Sequence, residues 1–156
     1  MGADRSPEQL TRNLNELLQE LRVMQTGVQI LTGFLLTVPF SSRFDDLTEH
    51  QRLIYLAVLG GAVLTTFLIV APVSFHRSLF RTGQREWLVA AGNRCARAGM
   101  LLFGLVSAGV VLLVFDVVVG PTAGVVAAVI AAATFLLLWY GGPRLARRQD
   151  SPSGRD

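Results

Sequence analysis

A length of 156 residues would suit one soluble domain, but 51% of them are hydrophobic and these are blocked into long runs, which excludes an ordinary water-soluble core. The formal net charge of +3 rests on fourteen arginines and no lysine; they lie between and beside the apolar runs, which speaks for membrane topology and against nucleic-acid binding. Cys95 is the only cysteine, so no intramolecular disulfide exists, and its place near the start of a long apolar run suits a small packing residue.

Four runs approach the length of about 20 apolar residues that crosses a ~30 Å hydrocarbon core as a helix: 23–40, 53–75, 97–119 and 123–140. They predict an all-α fold, a polytopic four-helix membrane bundle with amphipathic cytoplasmic helical extensions. Residues 1–22 form the first extension, 23–140 the four-span domain with a cytoplasmic helix at about 84–97, and 141–156 a basic, disordered tail. Three arginines precede the first span, two lie in the first loop, five around the second and four after the last. Twelve therefore share the side of the termini, which places both termini in the cytoplasm of a plasma-membrane protein. The first 22 residues are polar and show no signal peptide.

In chain order, Ser6 and Gln9 make a capping box with Pro7 at the first helical position. The helix that follows carries a leucine stripe at Leu10, Leu14, Leu17 and Leu21, the spacing of heptad a and d positions. Two heptads do not form a coiled coil alone, so the stripe needs the bilayer, another cytoplasmic segment or a second copy. Within the first span, Gln25, Gln29 and Gly33 share a face that points into the bundle or an oligomer interface, since an amide in lipid needs a partner. Pro39 ends the span. Asp46 and Glu49 read as cap and third position of the next helix; with Asp45 and His50 they also make a candidate cation site, for which a solvated cap is the simpler account.

The second span carries Gly60-Gly61 and Thr65-Thr66 for close approach and bonding to backbone, and Pro72 is expected to bend or end it. His76 and Arg77 sit at headgroup level. Thr82-Gly83 breaks the chain, and Gln84–Arg97 reads as a helix with Trp87, Leu88, Ala91 and Cys95 on one side. This second extension is expected to cover the leucine stripe of the first. The third span is rich in small residues, with Gly104 and Ala108 among them, and Gly120-Pro121 makes a tight outer turn. The fourth has a small-residue face at Gly124, Ala128 and Ala132, and Trp139 and Tyr140 form an interfacial belt.

No catalytic arrangement, metal motif or phosphate loop is apparent, which predicts a non-enzyme without cofactor or metal. Asp116 is the one acid in the last three spans. An intramembrane carboxylate is a functional candidate by default, but Asp116 lies ~12 Å from the middle of its span, near the outer interface. There, pairing with Arg43 or Arg52 is the simpler role, and ion coupling, fed at most by Glu20 from the cytoplasmic end, is the alternative. A polar or ion pathway would run through Asp116, Gln25, Gln29 and Glu20.

The segments Asn13–Val23, Leu36–Phe40 and Ala71–Arg77 resemble those of a bacterial domain-of-unknown-function family of small integral membrane proteins. The resemblance covers about Leu10 to Tyr140 and implies a four-span membrane protein. Members are often labelled sodium:proton antiporters. Two functions from different classes follow: a non-enzymatic membrane module assembling with itself or a membrane-protein partner, and a proton-linked cation transporter.

Overall fold

The computed structural model describes residues 7–79 and 85–141. Within them, the side chains of Leu10, Leu14, Leu17, His76, Arg77, Trp87 and Tyr140 lie outside the description, as do Ser6 of the expected capping box and the expected tail from residue 142 onward. Four long helices account for almost all of the described chain: α1 (Pro7–Thr37), α2 (Glu49–Leu79), α3 (Arg85–Val118) and α4 (Pro121–Leu136). A 3-10 turn at Val38–Phe40 closes α1 and a π turn at Leu137–Gly141 closes α4. All four helices are long and apolar enough to cross a membrane, over Gln19–Phe40, Glu49–Ser74, Ala90–Val118 and Pro121–Trp139. The fold class is all-α, as the apolar runs predict.

α1 and α3 run on past their apolar stretches. The 31 residues of α1 extend about 46 Å, more than the ~30 Å hydrocarbon core requires. The helix expected at 84–97 forms the first part of α3, continuous with the span.

Contacts divide the chain into two compact units, Met1–Val106 and Ser107–Asp156. The first contains α1, α2 and the N-terminal part of α3. Its buried positions repeat every three and four residues. On α2 they are Tyr55, Val58, Ala62, Thr65, Ile69 and Pro72, and on α1 Leu21, Val28 and Leu35, with Met24 and Leu31 half-buried between them. On α3, Gly92, Ala96, Gly99 and Val106 are buried, with Phe103 half-buried in the same series, and Gly104 is buried one position off it. A 3.5-residue period on each helix is the signature of left-handed packing, in which one helix seats its side chains between those of its neighbour. Leu21, Val28, Ile69 and Ala96 form one cluster, with Met24 and Phe103 packed against it.

Two glycines let α3 approach α2. A Cβ on Gly61 would lie 2.8 Å from Val106 Cγ2, and one on Gly99 would lie 3.2 Å from Ile69 Cγ1. Gly60 has open space around it, so of the expected pair only Gly61 packs. Thr65 and Thr66 donate to the carbonyls of Gly61 and Ala62 in their own helix, at 2.8 and 3.1 Å, rather than to a neighbour; backward bonding of this kind satisfies a hydroxyl where water is absent. Pro72 neither ends α2, which runs seven residues further, nor faces outward, since it is buried.

The first loop corrects a cap. Thr48, not Asp46, caps α2: its N–H donates to Gln51 Oε1 (3.0 Å) and its Oγ1 accepts from the Gln51 N–H (3.3 Å), the reciprocal pattern of a capping box. Above it Arg52 donates to the Asp45 carbonyl at 3.0 Å and lies over the Phe44 ring, 5.6 Å from its centroid. Phe44 in turn meets Tyr55 edge to face at 5.4 Å.

Tyr55 repairs the end of α1. In a continuing helix the Leu35 carbonyl would accept from the N–H of residue 39, but residue 39 is proline and has none. The Tyr55 hydroxyl, on a side chain that is 1% exposed, donates to that carbonyl at 2.9 Å. Tyr55→Phe leaves the carbonyl without a donor and is expected to cost about 1–3 kcal/mol, read from reversible unfolding in mixed micelles. Adding Pro39→Ala returns an N–H to the helix end and should recover part of that loss. Unchanged stability in Tyr55→Phe would show that the bond contributes nothing.

Candidate functional site

Among the described residues, two places carry candidate polar chemistry within the apolar stretches, and each lies in its own unit. The first is on α1. The inward seam of Leu21, Met24, Val28, Leu31 and Leu35 continues the heptad register of Leu10, Leu14 and Leu17, so one line of apolar residues runs the length of the helix. Leu21, the member of the expected stripe whose side chain is described, is buried with Ile69 and Ala96. Leu10, Leu14, Leu17 and Trp87 lie outside the described side chains, and the expected covering of the stripe by the second extension falls there. On α3, Gly92 and Ala96 are buried, while Ala91 and Cys95 of the expected side are half-buried.

Opposite this seam runs a second line at the same 4-3 spacing: Arg22, Thr26, Gln29, Gly33, Leu36 and Phe40. All six are exposed. Thr26 donates to the Arg22 carbonyl at 3.2 Å, and Gly33 has nothing within 4 Å of where a Cβ would stand. The expected shared face of Gln25 and Gln29 divides between two environments, because Gln25 is half-buried at the edge of the packed side and Gln29 points outward. Gln29 lies at the middle of the 22-residue stretch Gln19–Phe40. It has no hydrogen-bond partner among the described residues. Glu20 is exposed near the start of the same stretch, and one turn before it Arg12 and Glu16 form an exposed i,i+4 pair at 3.2 Å, worth little in stability.

The second place is in Ser107–Asp156, where α3 meets α4. Val119 and Gly120 N–H both donate to the Phe115 carbonyl, at 2.9 and 3.1 Å. Gly120 then turns the chain at φ 129°, a backbone region essentially reserved for glycine, and Pro121 opens α4. Gly124 is buried, and a Cβ there would lie 2.8 Å from the Leu112 carbonyl oxygen and 3.0 Å from Asp116 Cβ. Asp116, 8% exposed, thus sits beside the first turn of α4, the end of a helix where the macrodipole favours an anion. It is two residues from the end of the apolar stretch Ala90–Val118, as the depth argument expects. Within its unit it has no ion-pair or hydrogen-bond partner among the described residues. Arg43 and Arg52 belong to the other unit.

Of the other packing candidates, Gly104 and Ala108 are buried, and Ala128 and Ala132 are half-buried along the line that begins at Gly124. Trp139 is 43% exposed and stacks on Phe135, with ring centroids 6.1 Å apart. No group of three or more potential metal ligands gathers among the described residues. Sequence reasoning missed Thr48, Tyr55 and the outward position of Gln29. The signals were present: Thr-x-x-Gln before an apolar run, a proline that removes a donor, and a heptad line that continues past Leu21 and leaves Gln29 on the opposite side.

The comparisons with known proteins agree with this picture at the level of family. The family of unknown function DUF6328 matches residues 3–143, nearly the whole chain, and the chain belongs to it. No curated protein and no solved structure matches the chain.

The close contact at Gly124 gives a test with an internal control. Gly124→Ala places a methyl against backbone that cannot swing away, and is expected to cost about 1–3 kcal/mol in unfolding assays. Gly60→Ala enters open space on a helix and should be neutral or stabilising by up to about 1 kcal/mol. Equal effects would contradict the α3–α4 contact described.

Proposed function

We propose that this membrane-spanning member of DUF6328 is a non-enzymatic membrane module, and that it works by assembling with itself or with another membrane protein. The observation that carries this reading is Gln29, an amide exposed at the middle of an apolar helix. Lipid tails offer it neither donor nor acceptor, and helices in membranes associate through small residues and polar side chains of this kind. The proposed setting is a bacterial plasma membrane. Both termini are placed in the cytoplasm on the strength of the arginine distribution. A reporter active only outside the cytoplasm should then work when fused at Thr122 and fail at Gln84.

A second reading, proton-linked cation exchange, is favoured by one observation: Asp116 is a buried carboxylate within an apolar stretch. Its place two residues from the end of that stretch, beside the first turn of α4, suits a structural anion better than a coupling site, because coupling sites usually lie near the midplane. The role proposed for Asp116 is therefore structural, as an anion beside the first turn of α4.

Counting photobleaching steps of single labelled full-length molecules in bilayers tests the assembly reading; two or more steps per particle are expected, and uniformly single steps with no co-purifying membrane protein would overturn it. Vesicles holding the protein under an imposed sodium gradient should show no pH change above empty vesicles. A sodium-dependent pH signal that disappears in Asp116→Asn would put the transporter in its place.

A further inference from the structure

We infer that a second copy of this chain docks on the outward line of α1, so that Gln29 of one copy faces Gln29 of the other. The inference rests on the assembly reading above and names its partner and its surface. Among the exposed described residues of the four apolar stretches, Gln29 is the one amide or charged side chain at the middle of its stretch. The others (Gln19, Glu20 and Arg22; Glu49, His50 and Arg52; Asn93, Arg94 and Arg97) lie within eight residues of the start of theirs, where a long side chain reaches headgroups and water.

Three features select a second copy as the occupant. First, a glutamine amide carries both a donor and an acceptor, so it is complementary to itself and two of them satisfy each other. Second, copies inserted in one orientation that form a symmetric pair must have their two-fold axis along the membrane normal. Each residue of α1 on that axis then meets its own equivalent at the same depth, which brings the two amides together without any adjustment of register. An unrelated partner would have to supply an amide or hydroxyl at that depth; a second copy supplies one by symmetry. Third, Thr26, Gln29, Gly33 and Leu36 keep the 4-3 spacing of a left-handed parallel helix pair. The open space at Gly33, one turn from Gln29, lets two backbones come close enough for the amides to bond. The opposite side of the same helix is already taken by the Leu21–Leu35 seam, so α1 serves as the shared wall between two copies.

The test uses the full chain in lipid bilayers with Cys95 replaced by alanine. Single cysteines are introduced on the outward line (Thr26→Cys or Leu36→Cys) and on the outward side of α2 (Leu64→Cys), and are then oxidised. Cross-linked dimers are expected for Thr26→Cys and Leu36→Cys and not for Leu64→Cys. In the same bilayers, Gln29→Leu should raise the dimer dissociation constant about three- to thirtyfold, the span of measured interhelical hydrogen bonds. Because Gln29 is exposed, this change leaves the fold of the single chain intact, which an unaltered unfolding midpoint would verify. A dimer that forms with Gln29→Leu unchanged, or that cross-links through Leu64→Cys alone, overturns this interface and leaves the assembly reading standing. A protein that is monomeric at all lipid dilutions and captures no partner removes both.

Discussion

Inside a bilayer no water stands ready to replace a missing hydrogen bond, and this one constraint explains most of what the chain does. Helices satisfy their own backbone, so nearly the whole described chain is helix. The exceptions are repaired locally. Pro39 deprives the Leu35 carbonyl of its donor, and Tyr55 supplies one from α2 at 2.9 Å. Thr65 and Thr66 turn their hydroxyls back on their own helix. Thr48 and Gln51 close the start of α2 reciprocally. Against this background Gln29 stands out, because it is an exposed polar group at mid-depth with no such repair among the described residues.

Packing obeys the same constraint in a different form. Lipid tails are as apolar as leucine, so burial alone gives helices little reason to associate. Contact must come from fit, and glycine is placed accordingly. Gly61 and Gly99 admit side chains of the neighbouring helix, and Gly124 admits the backbone of α3 beside Asp116. Gly27, Gly33 and Gly60 instead face open space, and of these Gly33 alone lies on the exposed line with Gln29. A glycine with nothing against it in the single chain is a gap of the right size for another helix, which ties the packing logic to the proposed assembly.

The number and class of the helices were legible in the sequence because a membrane span is a long, nearly uninterrupted apolar run, and four such runs leave few alternatives. Of the leucine stripe of α1, Leu21 alone is described, and it is buried. What composition could not rank was direction. Gly60 and Gly61 are adjacent and identical, yet one packs and one does not, because 100° of helix rotation separates them and only the neighbour decides which faces in. Gln25 and Gln29 lie only about 40° apart around the helix, yet one falls at the edge of the packed side and the other outside it. Treating the heptad at Leu10–Leu21 as if it stopped at the membrane surface hid the fact that it continues through Val28 and Leu35. Thr48 lost the cap to Asp46 for a different reason: an acidic residue looks like a cap, but the reciprocal bond with Gln51 requires the three-residue spacing that Thr48 has. Pro72 sits inside a helix that continues past it, which propensities measured in water do not anticipate.

The central claim is that α1 is a helix with two opposed lines, one packed within the chain and one at mid-depth available to a second copy. Oxygen accessibility of spin labels placed singly at residues 21–36 of the full chain in bilayers measures this directly. At high lipid dilution the account predicts low accessibility at Leu21, Val28 and Leu35 and high accessibility at Thr26, Gln29 and Gly33. As lipid is withdrawn, the second set should become protected while labels at Val23 and Phe34 stay accessible. High accessibility at Val28 together with protection of Gln29 at every dilution would contradict the account.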